Sequence, residues 1–161
     1  MNRYSEIDGD LISLAKQGKF DVIAHGCNCF CNMGSGIAPQ MAEAFNCDKY
    51  SLEHQQHKGD INKLGTINFE VFEFSSIEYL KVVNAYTQYR YGKDKVHADY
   101  SAIRLCFKKM NKIFNGSHIG LPKIGSGKAG GNWEKIKKIM KEEFTGCNVT
   151  VVNYVVNSSI L

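Results

Sequence analysis

Proline is scarce in this chain, with 2 among 161 residues, and no low-complexity tract interrupts it. Long disordered linkers need a composition poor in apolar residues and rich in proline and charge, so none is expected. No run of about 18 apolar residues occurs, which leaves nothing suited to cross a membrane as a helix. The opening residues, Met1-Asn2-Arg3-Tyr4-Ser5-Glu6, lack the apolar core of a secretory signal. C-x2-C pairs are also absent, although the chain has 6 cysteines. Cys27, Cys29 and Cys31 stand two apart, and the rest are scattered. Zinc sites more usually show paired spacings, so no metal site is expected. Without a signal segment, the expectation is reduced thiols in a cytoplasmic protein.

What is present fits one domain over residues 1–161, since this length buries a single sizeable core and not two. Hydrophobic residues make up 43% and charged residues 22%, close to the averages of soluble domains. Lys and Arg number 20 against 16 Asp and Glu, a net charge of +4. That mild excess suits a phosphate-bearing ligand. It falls short of the dense basic patch of a dedicated nucleic-acid binder, so neither nucleic acid nor a membrane is expected as a partner.

Along the chain, strand-like and helix-like stretches alternate. Arg3–Ile7 reads as a first strand, followed by a Gly9-Asp10 turn and a short helix to Lys16. Phe20–His25 is a brief apolar run of the kind that forms a buried strand. It leads into a loop rich in Gly and Asn, residues 26–36, and then a helix from Ile37 with Pro39 in its first turn. Strands are expected near Gly65–Phe72 and Glu78–Tyr86. Tyr100, Ile103, Phe107, Met110 and Phe114 recur at helical spacing behind Asp99, a good N-cap. His118–Leu121 is a short strand ending at Pro122. Asn132 caps a helix with Trp133, Ile136, Ile139, Met140 and Phe144 on one face, and Asn148–Val156 closes the chain as a strand. The pattern predicts an α/β fold: helices layered on a mixed sheet.

Twice, a buried strand empties into a glycine-rich loop that opens onto a helix, at 26–36 and at 125–131. Ligands of open α/β sheets sit beyond the carboxyl ends of the strands, where such loops gather. Glycine lets the backbone approach a ligand closely, and the next helix presents free N–H groups to an anion. Gly125-x-Gly127-x-x-Gly130 has the spacing of a dinucleotide fingerprint, but only about 30 residues follow it, too few for a two-half dinucleotide fold. Gly127-Lys128 is followed by Ala129 instead of Ser or Thr, which removes the magnesium ligand of a P-loop. His25 and Asn28, at the end of the second strand, add polar groups beside both loops.

These residues resemble a macrodomain, the three-layer α-β-α module that binds ADP-ribose. Gly9-Asp10-Leu11 is similar to the family's early turn, which implies Asp10 and Leu11 at the adenine. His25-Gly26-Cys27-Asn28 resembles the following strand and loop, with His25 in the place of the first asparagine and Asn28 near the distal ribose. Met33-Gly34-Ser35-Gly36-Ile37-Ala38 is similar to the glycine run before the first ligand-facing helix. Leu121-Pro122-Lys123-Ile124-Gly125-Ser126-Gly127, with Trp133 six residues on, resembles the diphosphate-gripping loop. The resemblance implies ligand contacts from Gly34, Ser35, Gly36, Ile37, Pro122, Ile124, Gly125, Ser126, Gly127, Lys128 and Ala129. Tyr154, as an aromatic near a strand end, is a candidate to stack on a ring, although such residues more often belong to the core.

Within the family, the histidine and the P-x-I-G-x-G loop are closest to the branch that dephosphorylates ADP-ribose 1″-phosphate. A sister branch removes ADP-ribose from protein or DNA with a lysine and an aspartate. Here the aspartate's place is Ala129, and Tyr86-Thr87-Gln88 stands where the lysine is expected. The implied activity is thus a phosphatase without cofactor or metal, in which His25 positions or protonates and Asn28 fixes the ribose. Two alternatives stay open: a non-catalytic reader or sequestering module for ADP-ribose, and a hydrolase removing ADP-ribose from modified macromolecules such as ADP-ribosylated protein.

Overall fold

In the computed structural model, the apolar runs and amphipathic stretches become six strands and four helices among the described residues, which are 3–33, 36–45, 58–92 and 94–155. In chain order they are β1 (Tyr4–Gly9), α1 (Leu11–Lys16), β2 (Val22–Asn28), α2 (Ala38–Phe45), β3 (Ile67–Glu73), β4 (Tyr79–Gln88), α3 (Tyr100–Ile113), β5 (His118–Leu121), α4 (Trp133–Glu143) and β6 (Asn148–Tyr154). Three helix starts are set by side chains. Asp10, Asp99 and Asn132 accept from the backbone N–H of Ser13, Ala102 and Lys135 respectively. Each bond satisfies one of the N–H groups that a first helical turn leaves unpaired.

The sheet order is β1-β6-β5-β2-β4-β3. Only the β3–β4 pair is antiparallel; the other four pairings are parallel. This is the mixed α/β sheet that the sequence predicts. On one face, Ile103, Phe107 and Met110 of α3 and Ile136 and Met140 of α4 pack on Val22, Ala24, Val83, Ile119 and Val151. On the other, Leu11 and Ala15 of α1 and Met41 and Phe45 of α2 pack on Ile23, Leu80, Val82 and Val152. Helices on both faces explain why the central strands read as continuous apolar runs and not as alternations. Each large side chain buried this way contributes about 1.5–3 kcal/mol.

Boundaries differ from the sequence reading where pairing overrides local preference. β2 continues past His25 to Asn28 because His25, Gly26 and Cys27 pair with Asn84, Ala85 and Tyr86 of β4. Glycine and asparagine are poor strand formers, but a central position supplies the partner that propensity lacks. β1 runs to Gly9 rather than Ile7, paired throughout with β6. β6 ends at Tyr154; Val156 lies outside the described residues. No helix among the described residues is long and apolar enough to cross a membrane.

Candidate functional site

Five strands point the same way, so their carboxyl ends gather at one edge of the sheet, where crevices form in such folds. Two cavities meet there and share Gly36, Ile37, Pro122 and Lys123 in their walls. The larger, about 480 Å³, lies by the ends of β1 and β6 and is lined by Asp10, Leu11, Ile12, Gln40, Val152, Asn153 and Tyr154. The smaller, about 210 Å³, is lined by Gly26, Asn28 and Asn32, by Gln88, Tyr91 and Gly92, and by the loop from Ile124 to Ala129 apart from Ser126. Together they form a trough across β6, β5, β2 and β4. Three strand spacings give it a length of about 14 Å.

Charge is distributed unevenly along this trough. Asp10 is the one carboxylate among the described lining residues, and it sits at the large end. Lys123 borders both cavities and Lys128 the small one. Between them, among the described residues, the backbone N–H groups of Gly125, Gly127, Lys128 and Ala129 have no backbone acceptor. The loop holds its shape through other bonds, with Gly131 N–H donating to the Gly125 carbonyl at 2.9 Å and Gly130 N–H to that of Gly127 at 3.0 Å. Across the trough α2 begins at Ala38; Pro39 has no N–H, so the first turn leaves those of Ala38 and Gln40 without an intrahelical acceptor. Successive N–H groups left without an acceptor are the raw material of an anion-binding concavity.

Most residues expected at the site are brought together. Asp10, Leu11 and Tyr154 line the large cavity, Gly36, Ile37 and Pro122 line both, and Asn28, Ile124, Gly125, Gly127, Lys128 and Ala129 line the small one. Gly34 and Ser35 lie outside the described residues. Ser126 lines neither cavity; its hydroxyl donates to the Lys123 carbonyl at 2.7 Å and braces the loop from within. His25 is fully buried and also lines neither. Its Nε2 donates to Asn84 Oδ1 at 2.7 Å, since an amide oxygen only accepts. Asn84 Nδ2 donates to Asn68 Oδ1 at 2.7 Å, and Asn68 Nδ2 to the Tyr86 hydroxyl at 3.2 Å. This chain ties β2, β4 and β3 together behind the trough.

Asn28 reaches the cavity but spends most of its amide locally. Its Oδ1 accepts from the N–H groups of Phe30 and Asn32, both at 3.1 Å, and its Nδ2 donates to the Asn32 carbonyl at 2.8 Å. One N–H of the amide then remains for a ligand, and the side chain's first task is to shape residues 28–32. Gln40, Lys123, Asn153, Gln88 and Tyr91 line the trough without having been singled out as contacts from sequence. Of these, Lys123, inside the Pro122–Gly127 loop motif, and Gln88, in the stretch Tyr86-Thr87-Gln88 that stands where the sister branch has its lysine, carried a local signal.

The described cysteines take no part in the lining: Cys27, Cys29, Cys31, Cys106 and Cys147 are buried. Burial pushes the Cys29 thiol up to about 11 and Cys106 up to about 12. Among the described residues no group of His, Cys, Asp and Glu is arranged to hold a metal ion.

No family model matches the chain. It is 33% identical over 153 residues to a 17.5 kDa protein from the tk–vs intergenic region of Enterobacteria phage T4, covering 92% of this chain and 94% of that one. A macrodomain protein from Streptomyces coelicolor superposes with a TM-score of 0.68 at 21% identity, over 96% of this chain and 100% of that one. Thermosipho africanus DarTG, solved in complex with ADP-ribose, gives a TM-score of 0.69 at 17% identity, over 95% of this chain and 42% of that one.

Proposed function

We propose that this chain, which belongs to the same family as the phage T4 tk–vs protein and has the macrodomain fold, binds ADP-ribose along the trough and hydrolyses its 1″-phosphate ester to ADP-ribose and phosphate. The observation that carries this reading is the small cavity: its loop has N–H groups without a backbone acceptor, two lysines line it, and no carboxylate is among its described lining residues. Such a site favours an anion beyond the diphosphate itself. The position of Asp10 at the opposite end supports the orientation, because a carboxylate accepts from the amino group of adenine. The ADP-ribose in the DarTG neighbour supports the same ligand class.

In this reading the loop N–H groups and Lys128 stabilise charge on the phosphoryl oxygens as the bond to the C1″ oxygen breaks. A water molecule supplies the oxygen that joins phosphorus, and a proton passes to the departing C1″ oxygen. Asn28 holds the loop and contributes one N–H to the ribose. His25, buried behind β2, acts as a positioning residue through Asn84. One observation favours a second reading, a reader without chemistry: no His, Asp, Glu or Cys is among the described residues lining the small cavity.

Calorimetric titration with ADP-ribose, followed by a phosphate-release assay on the 1″-phosphate, separates the two. Binding with release supports the phosphatase. Binding without release puts the reader, or a hydrolase acting on ADP-ribosylated protein, in its place. Absence of binding removes ADP-ribose altogether.

Asp10 offers a finer test because its carboxylate has two duties. Oδ1 accepts from Ser13 N–H at 3.1 Å as the cap of α1, which leaves Oδ2 for the adenine. Asp10→Asn keeps a capping oxygen but turns an NH2 toward another NH2. It is expected to melt like the wild type and to bind ADP-ribose roughly 10-fold or more weakly, the cost of a hydrogen bond to a charged acceptor. Asp10→Ala should lose, in addition, about 1 kcal/mol of stability with the cap. Equal affinity of Asp10→Asn and wild type would remove the adenine from this end.

A further inference from the structure

The strand pairing at the small cavity contains an irregularity that places one side chain there. Cys27 pairs with Tyr86, but Asn28 pairs with Gln88, so Thr87 is an extra residue in β4. Bulges of this kind re-aim the side chain that follows them and recur next to functional sites. Thr87 is turned inward: it is 1% exposed, its hydroxyl lies 2.8 Å from where a Cβ on Gly26 would stand, and that hydroxyl has no hydrogen-bond partner. A buried hydroxyl without a partner carries a cost, and here it accompanies a backbone shift that delivers Gln88 to the cavity wall.

Gln88 is held from several directions. Its backbone pairs with Asn28 on one side and forms a bridge to Ala98 on the other. Its Nε2 donates to the Arg90 carbonyl at 2.7 Å. The carboxamide then has one N–H and its carbonyl oxygen for a ligand, a donor and an acceptor on adjacent atoms and no net charge. By strand order, β4 is the line of the trough farthest from Asp10 and Tyr154. A ligand whose adenine lies at Asp10 therefore presents its last sugar, and whatever is attached to C1″, to Gln88.

We propose that Gln88 is the residue that reads the C1″ end of the ligand: its carbonyl oxygen accepts from a sugar hydroxyl and its free N–H donates to the oxyanion of the substituent. A neutral amide admits a phosphate where a carboxylate would repel it. This assignment rests on the reading of the trough as an ADP-ribose site. It adds a specificity-determining contact that neither the glycine loops nor Asn28 provides.

The test measures affinities of ADP, ADP-ribose and ADP-ribose 1″-phosphate for the wild type, Gln88→Met and Gln88→Glu. Methionine keeps the length and removes both polar groups, whereas glutamate keeps an acceptor and adds charge. Both variants should bind ADP within about twofold of the wild type, because ADP lacks the distal sugar. Gln88→Met should bind ADP-ribose about threefold to tenfold more weakly, the usual scale of one neutral hydrogen bond. Gln88→Glu should bind the 1″-phosphate at least tenfold more weakly and discriminate against it relative to ADP-ribose. If ADP weakens in step with the other two, Gln88 supports the fold and reads nothing, and the proposal fails. Unchanged affinities for all three ligands overturn it as well. A wild type that binds neither ADP nor ADP-ribose defeats the ADP-ribose reading, and this assignment with it.

Discussion

Gly125→Val is expected to lower ADP-ribose affinity by at least about 100-fold, more than any other single change in the trough. Gly125 has φ +77°, and a Cβ there would stand 3.1 Å from Ile103 Cδ1 and 3.2 Å from Ile136 Cδ1. A β-branched residue in the left-handed region is an outlier, at a cost of roughly 1–2 kcal/mol or more. The two isoleucines belong to α3 and α4 and are packed in the core, so neither moves away freely. The strain is relieved most easily by turning the peptide, which breaks the bond from Gly131 N–H to the Gly125 carbonyl. It also swings the following N–H groups off the anion. Losing two such bonds to a charged group, at about 1.5–3 kcal/mol each, accounts for the 100-fold. Gly127 is the control, because nothing lies within 4 Å of its Cβ position and its φ is not positive. Gly127→Val should melt like the wild type and still bind poorly, by filling the cavity. Calorimetry and thermal melts on both variants decide the matter. Full affinity in Gly125→Val would show that the loop's N–H groups do not hold the ligand.

What the sequence disclosed follows the range of the interactions involved. The caps Asp99 and Asn132 were legible because a cap is a contact between residues three apart, as Asp99 with Ala102 shows, whereas Asp10 read as a turn residue and also caps α1. The glycine loops were legible because each follows its strand directly and opens onto a helix. The trough as one object was not, since it needs β6, β5, β2 and β4 in that order. His25 shows the same limit at a single residue. A histidine at the end of an apolar run points into the cavity or behind it according to strand register, and the pairing His25 with Asn84 sends it behind. Gln88 depends on a register shift between β2 and β4, which no local pattern announces. Asn28 lines the small cavity, yet its bonds to residues 30 and 32 come from the loop's own conformation.

Above pH 9 the protein is expected to lose stability steeply, through thiols and not through the site. Cys106 is fully buried between α3 and the sheet, and its Sγ donates to the carbonyls of Thr66 at 3.5 Å and Tyr86 at 3.7 Å. Burial holds its pKa at about 12, whereas the same thiol in an unfolded chain titrates near about 8.5. Below that value the thiol is neutral in both states and the contribution to stability is intact. As the pH rises further, only the unfolded chain releases the proton, so unfolding gains up to about 1.4 kcal/mol per pH unit. The loss continues until the folded thiol itself titrates. Cys29, raised to about 11 by burial against the opposing charge of Lys63, adds in the same direction. Tyrosines and lysines also titrate in this range, so the informative comparison is between the wild type and Cys106→Ala. The variant should be less stable at pH 7, from the cavity it leaves, yet lose less on going from pH 9 to 11. One kcal/mol corresponds to about 2–4 °C in a domain of this size, so the two melting curves should converge by several degrees. Parallel curves would mean that Cys106 titrates alike in both states, and the alkaline loss would then belong to other groups.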